Sequence, residues 1–318
     1  IGRVTEKLNA PMHIKIGTRG SRLALWQAYY VENLLQKGGL TTEIVLIDTK
    51  GDQILDRSLS KIGSKGVFTQ ELEDQLRDGR IDIAVHSAKD LQSELDDDLQ
   101  LIAFTERERV NDVLVSHNQS LSLGSGEPFV VGTSSTRRVA MLKHFYPHIR
   151  TVDMRGNLQT RLRKLEEGQC DAILLAYAGV HRMEYDGLIA EHLSLNEFTP
   201  AVGQGSVAIE CSQNLEHEKR DKVRALLNHP ATEICLLAER AFLRRLQGGC
   251  SVPVFGLASL ENETVTMTGG VVSLDGSQIL KQTRSGVAAS PEDIGIQLAE
   301  LLLSDGAAEI LAAIKQNS

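Results

Sequence analysis

The chain is 318 residues long, 42% hydrophobic and 24% charged, with a formal net charge of −8. That length accommodates two or three domains of ordinary globular composition, and the acidic balance disfavours a nucleic-acid binder, whose domains carry a strongly basic face. No apolar run approaches the roughly 20 residues needed to cross a bilayer, and the polar start, residues 1–11, lacks the apolar core of a secretory signal; a cytoplasmic protein is expected, or an organellar one if a targeting segment was removed.

Residues 13–17 read as a short strand, and Thr18-Arg19-Gly20-Ser21 as a turn into a helix over 23–35 with Ser21 as its N-cap. A second strand is predicted over 42–48. A polar loop with Lys61 and Lys65 follows, then a helix over 68–77 and a third strand over 81–85 that ends in His86-Ser87-Ala88-Lys89-Asp90. The series restarts with strands at 112–115 and 129–132, the latter running into Thr133-Ser134-Ser135-Thr136-Arg137-Arg138 and a helix through Met141 and Leu142. A strand over 150–153 leads through Met154-Arg155-Gly156-Asn157 into a helix ending at Leu165. A strand over 172–175 follows, and Ala201-Val202-Gly203-Gln204-Gly205-Ser206 introduces another that ends at Cys211. Such alternation implies an α/β architecture with a largely parallel sheet.

After Asn228 the texture changes. A helix over 230–247 has Pro230 in its first turn and Ile234, Leu237, Ala238, Ala241, Phe242 and Leu246 on one stripe, with Gly248 at the left-handed position past its end. The loop Gly248-Gly249-Cys250-Ser251-Val252-Pro253, strand-like runs at 265–267 and 270–272 and a last helix over 294–303 complete what reads as a smaller α+β domain.

The four cysteines, Cys170, Cys211, Cys235 and Cys250, show no Cys-x-x-Cys or Cys/His ligand spacing, which argues against a metal site and against a disulfide scaffold. Three fall in or beside strand and helix segments, where small buried thiols are common. Cys250 is left in a loop, between glycines and open to a large partner, although on local sequence alone it can equally be a loop cysteine without a role.

Cations and hydroxyls gather where strands end and helices begin: Arg19 with Ser21, Lys61 with Lys65, Ser87 with Lys89, Thr133 and Ser135 with Arg137 and Arg138, then Arg155 and Arg161. In open α/β sheets ligands bind outside the carboxyl ends of the strands, and helix N-termini favour anions. Repeated arginine points to several carboxylates or phosphates, and no Walker-type phosphate motif is present. Plainer readings stand beside each: Ser134 and Ser135 as helix caps, Arg161 and Arg163 as a solvated face, Lys61 and Lys65 as surface loop. Asp90, the acid that stands out among these cations, has as its plainer reading half of a structural ion pair with a neighbouring arginine.

The motifs Ile16-Gly17-Thr18-Arg19-Gly20-Ser21 through Leu25-Trp26-Gln27, Lys61-Ile62-Gly63-Ser64-Lys65-Gly66, Val85-His86-Ser87-Ala88-Lys89-Asp90, Val131-Gly132-Thr133-Ser134-Ser135-Thr136-Arg137-Arg138, Arg155-Gly156-Asn157, Ala201-Val202-Gly203-Gln204-Gly205 and the Cys250 loop, taken in order, resemble the porphobilinogen deaminase (hydroxymethylbilane synthase) family. The resemblance implies two doubly wound α/β domains similar to the halves of periplasmic binding proteins, 1–108 with 205–226 and 109–204, and a smaller α+β domain, 227–318. It implies a dipyrromethane cofactor held on Cys250 by a thioether. Four porphobilinogens are then joined head to tail with loss of ammonia, and hydroxymethylbilane is released by hydrolysis, a step of heme biosynthesis. Asp90 would be the catalytic acid/base. Ser87, Lys89, Asp90, Thr133, Ser134, Ser135, Arg137, Arg138, Arg155, Gly156 and Gln204 would hold the cofactor. Arg19, Ser21, Lys61, Lys65, Phe68, Arg161 and Arg182 would face substrate or the growing polypyrrole chain. A monomer without nucleic-acid or membrane partners is expected.

The residues agree with that chemistry. Each pyrrole bears an acetate and a propionate, which the strand-end cations suit, and loss of the aminomethyl nitrogen leaves a cationic centre that a carboxylate can stabilise. Three residues depart from the family pattern: Arg22 and Gln92 stand where proline is usual, and Ala88 where a larger apolar residue is common. Gln92 in place of proline predicts a looser loop around Asp90. Competing readings are a two-lobed anion-binding module, an inactive family member, and a thiol hydrolase using Cys250, for which no histidine lies in a recognisable signature.

Overall fold

The computed structural model describes residues 10–53, 66, 68–248 and 252–316. Two five-stranded sheets share one pattern. The first is built from β1 (His13–Thr18), β2 (Thr41–Leu46), β3 (Ile83–Ser87), β4 (Leu99–Phe104) and β10 (Val207–Ser212), in the order β2-β1-β3-β10-β4. The second takes β5 (Asp112–Val115), β6 (Val130–Gly132), β7 (Arg150–Val152), β8 (Ala172–Ala176) and β9 (Ile189–His192), in the order β7-β6-β8-β5-β9. In each, four strands run one way, while the fourth in line, β10 or β5, runs against them and pairs antiparallel with both neighbours. Each sheet is therefore largely parallel in strand direction, as expected, with one reversed strand that makes it mixed. The antiparallel strand is in both cases the one entered as the chain crosses between the two lobes.

Helices cover both faces. In the first lobe α1 (Arg22–Lys37) buries Ala28, Val31 and Leu35 against Ile14, Ile16, Ile83 and Val85. Ser21 caps α1 as expected, its Oγ accepting from the Ala24 N–H at 3.3 Å. A short helix α2 (Lys50–Gln53) precedes α3 (Gln70–Arg77), whose Leu72 and Leu76 pack on the opposite face. In the second lobe α4 (Thr136–Phe145) buries Met141 and Leu142, and α5 (Leu158–Glu166) buries Leu165 against Met154 and Ile173. Two further helices, α6 (Tyr177–Arg182) and α7 (His217–Leu227), went unread in the sequence.

The smaller unit packs α8 (Pro230–Arg245) and α9 (Pro291–Leu302), with α10 (Ala308–Gln316) at its end, on the antiparallel sheet β11 (Val254–Glu261), β12 (Thr264–Val272) and β13 (Ile279–Val287). Phe242 is fully buried at this seam, and burying such a side chain contributes about 2 kcal/mol. The two runs at 265–267 and 270–272 form one strand. Gly269 and Gly270 broke the pattern, and packing explains them: a Cβ on Gly270 would stand 2.4 Å from the Phe255 ring and 2.0 Å from the Leu280 carbonyl oxygen. Pro230 opens α8 as expected. The left-handed residue past its end is Gln247 (φ 53°), not Gly248, on which a Cβ would stand 2.7 Å from Leu243 Cδ1.

Candidate functional site

The carboxyl end of β3 turns at once into a 3-10 turn, Ala88–Asp90. Ala88 N–H donates to the Ser206 carbonyl at 2.9 Å, and Gly203 (φ 80°) presses its backbone against the turn so closely that a Cβ there would lie 2.9 Å from the Ala88 carbonyl carbon. Only glycine fits both that conformation and that approach. Ser87 Oγ is engaged by the Gln27 amide at 2.9 Å. Beyond the turn, the Gln92 carbonyl accepts from Arg240 Nη2 at 2.8 Å, a tie from the third unit that holds the segment for which Gln92 predicts looseness. Asp90 itself is exposed, its charge acting on Lys89 in the same lobe and on Arg161 in the other.

Across from this turn lies the start of α4. Ser135 caps the helix by accepting from the Arg138 N–H at 3.2 Å, and Thr133 Oγ1 accepts from the Ser135 N–H at 3.2 Å. Ser134 Oγ donates to the Met154 carbonyl at 2.6 Å. Arg137 and Arg138 are buried and converge on Asp112, the first residue of β5. Arg137 donates to Asp112 Oδ2 at 2.8 Å and to Oδ1 at 3.2 Å, and Arg138 donates to Oδ1 at 2.9 Å. Gln204 completes the knot, its amide donating to Asp112 Oδ1 at 2.9 Å and to the Val110 carbonyl at 2.8 Å. Burial pushes the Asp112 carboxyl up, but Arg137 and Arg138 outweigh it and hold it well below the usual carboxylate range. Two guanidiniums on one carboxylate leave the cluster cationic. Arg137 Nε and Arg138 Nε are buried without a hydrogen-bond partner among the described residues.

Burial and then the Arg138 charge push the Lys89 ammonium down to about 8, although Asp90 and Asp112 oppose the shift. Between about pH 8 and the unfolded value of about 10.4 the folded Lys89 has lost its proton while the unfolded one keeps it, so that the cofactor-free chain gains stability as pH rises through that window. An NMR titration of the Lys89 ammonium should give a value near 8 in Cys250→Ser protein and a higher one when carboxylates are bound. An ordinary lysine value in both would contradict this electrostatic picture.

Arg161 donates through Nε to the Gly156 carbonyl at 2.8 Å, and burial followed by Arg138 lowers it to about 10. Arg155 pairs with Asp153 at 3.1 Å, and Asn157 caps α5 by accepting from the Thr160 N–H at 3.0 Å. Arg19 is bound to Asp52 and lies over the Phe68 ring. Arg182 has different neighbours: it stacks over Trp26 at 5.1 Å and donates to the Gly205 carbonyl at 3.1 Å, on the segment that crosses between lobes. Lys61, Lys65 and Cys250 lie outside the described residues. The other three thiols are buried, and burial pushes Cys211 and Cys235 up to about 11 and Cys170 upward as well, so all three stay protonated and unreactive at neutral pH.

Two acids that organise this site were not singled out in the sequence. Asp112 is one; its signal is a lone acid opening an otherwise apolar strand. Glu239 is the other, on the buried stripe of α8 beside Ala238 and Phe242. It is fully buried, pairs through both oxygens with Arg107 at 2.6 and 3.0 Å, and accepts the Gly203 N–H at 2.8 Å and the Ala258 N–H at 2.9 Å. Arg107 also donates to the Gln204 carbonyl at 2.8 Å. Both inter-lobe crossings are thus fastened to the third unit at one carboxylate.

The arrangement gathers cations from both lobes around one exposed acid, with buried N–H groups to spare, and suits a ligand bearing several carboxylates. A family sequence model described as "Porphobilinogen deaminase, dipyromethane cofactor binding domain" matches residues 14–220, and one described as "Porphobilinogen deaminase, C-terminal domain" matches residues 233–304. The porphobilinogen deaminase of Cytophaga hutchinsonii is 60% identical over 303 residues, covering 95% of this chain and 97% of its own. That of Desulfosudis oleivorans is 55% identical over 306 residues, covering 96% and 99%. No helix among the described residues is long and apolar enough to cross a membrane.

Proposed function

This chain belongs to the porphobilinogen deaminase family, and from that premise we propose that it is itself a hydroxymethylbilane synthase, a transferase that joins four porphobilinogens onto a dipyrromethane carried as a thioether on Cys250 and releases the linear tetrapyrrole by hydrolysis. The observation that carries the reading is the cluster of Lys89, Arg137, Arg138 and Arg161 from two lobes beside Asp90. A dipyrromethane bears four carboxylates, and the residues present fit it: the knot on Asp112 is left cationic, its two Nε–H groups lack partners among the described residues, and the depressed Lys89 gains most from an added anion. Lys89, Arg137, Arg138, Arg155 and Ser135 would hold the group, with the Gly156 and Gln204 segments shaping its bed. When bound, it supplies the pyrrole carbon to which each new unit is joined.

The remaining work falls to this chain's side chains. Porphobilinogen's aminomethyl nitrogen leaves as ammonia, so it must be protonated as the carbon–nitrogen bond breaks, and positive charge develops on the methylene carbon. Asp90 holds the ammonium by a charge-assisted hydrogen bond, stabilises that charge as it builds, and then takes the proton displaced from the pyrrole carbon. Arg161 and Arg19 orient the incoming acetate and propionate, which turns encounter into positioning. We further propose a cytoplasmic monomer; the monomeric reading is supported by both lobes of the site coming from one chain.

Intact mass tests the proposal. Purified protein should exceed its chain mass by one dipyrromethane, and porphobilinogen should add species spaced by a constant pyrrole increment. Cys250→Ser should erase both, and thiol reductants should leave the adduct in place, since a thioether does not exchange as a disulfide does. A bare chain mass without a ladder would return the protein to an anion-binding module.

A further inference from the structure

Arg19 does not offer an open guanidinium. Its Nε donates to Asp52 Oδ2 at 3.0 Å, its Nη2 donates to Asp52 Oδ1, and the Phe68 ring covers one flat face with its centroid 4.4 Å from Cζ. This is the two-pronged geometry in which an arginine takes a carboxylate, so Asp52 occupies the edge that a ligand's carboxylate would use. Asp52 also has support that does not depend on Arg19. Thr49, fully buried, donates from Oγ1 to Asp52 Oδ2 at 2.7 Å and accepts the Asp52 N–H at 3.3 Å. If Arg19 turned to another anion, Asp52 would keep its hydroxyl partner and its contact with water. The two side chains are 24% and 33% exposed, the setting in which ion pairs exchange at low cost.

We propose that Asp52 is an internal stand-in for a substrate carboxylate: it pairs with Arg19 between additions and yields that edge to the acetate or propionate of the next porphobilinogen. The proposal rests on reading Arg19 as a substrate contact. Asp52 is on this account a specificity residue and not a catalytic one. A ligand with a carboxylate replaces one anion by another at little net cost, whereas a ligand without one must break the pair and leave Arg19 unmatched. The exchange also weakens the affinity for substrate by the strength of the pair given up.

The test is steady-state kinetics with porphobilinogen for the holoenzyme, for Asp52→Asn and Asp52→Ala, and for each in an Arg19→Leu background. Removing the competing anion should lower KM about two- to fivefold, the range of an exposed bidentate pair, with kcat little changed. In the Arg19→Leu background the same substitutions should leave KM where Arg19→Leu put it. A KM unchanged or raised in both Asp52 variants, or a KM drop that persists without Arg19, overturns the proposal, and a loss of thermal stability without a lower KM marks Asp52 as structural. A wild type that does not turn over porphobilinogen defeats the family reading and this proposal with it. Turnover with an unmoved KM defeats this proposal alone.

Discussion

Asp90→Asn is expected to slow turnover by about two to four orders of magnitude while leaving a folded, cofactor-loaded protein. Asparagine keeps the shape and a hydrogen-bonding oxygen but loses the charge that steadies a developing cation and cannot take up the displaced proton. Because Asp90 is exposed and its turn is held by Gly203, Ser206 and Arg240 rather than by its own carboxylate, the change should cost no more than about 0.5 kcal/mol of stability, as for other surface sites. Single-turnover mass spectrometry reads the effect directly: the dipyrromethane offset should persist and the ladder should stall. Wild-type turnover in Asp90→Asn would remove Asp90 from the mechanism.

Asp112→Ala should have the largest structural effect. It strands two buried guanidiniums and the Gln204 amide at once, and breaking a buried pair from one side typically costs about 3–5 kcal/mol. Denaturant unfolding of the cofactor-free Cys250→Ser protein with and without Asp112→Ala would show it, and a loss under about 1 kcal/mol would contradict the reading. The sign of the pH dependence follows. Since the folded Asp112 carboxyl is held well below its unfolded value of about 4, its contribution is full above pH 4 and disappears as pH falls through the folded value. The cofactor's carboxylates would relieve part of the stranded charge, so loaded Asp112→Ala protein should be penalised less.

The positions of the cations were legible in the sequence because each lies within a few residues of a strand end, where hydroxyls, glycines and arginines mark the joint. Their counter-ions were not. Arg137 meets Asp112 across 25 residues, Gln204 meets Asp112 across 92, and Arg107 meets Glu239 across 132. Only the return of the chain through β5 and β10 brings them together, and no local pattern records that return. The fold class was readable from strand-helix alternation, yet the antiparallel strand in each sheet was not, because Val207-Ala208-Ile209 is as continuously apolar as a parallel strand and is equally buried on both faces. β13 escaped notice for the opposite reason: it is an edge strand whose middle, Gln282 to Ser285, is exposed on both sides and shows no alternation.

The position of β10 between β3 and β4 also dictates an order of assembly. As the chain leaves the ribosome, β1, β2 and β3 can pair, but β4 has no neighbour until Val207–Ser212 emerges, after the whole of the second sheet has been made. The second lobe, whose strands run uninterrupted from Asp112 to His192, is therefore complete while the first still lacks the strand that joins β4 to β3. Glu239 arrives later still, and with it the clasp on Arg107 and Gly203 that fixes the two crossings. The tie between the two crossings is thus made last, by the unit that we propose carries the cofactor.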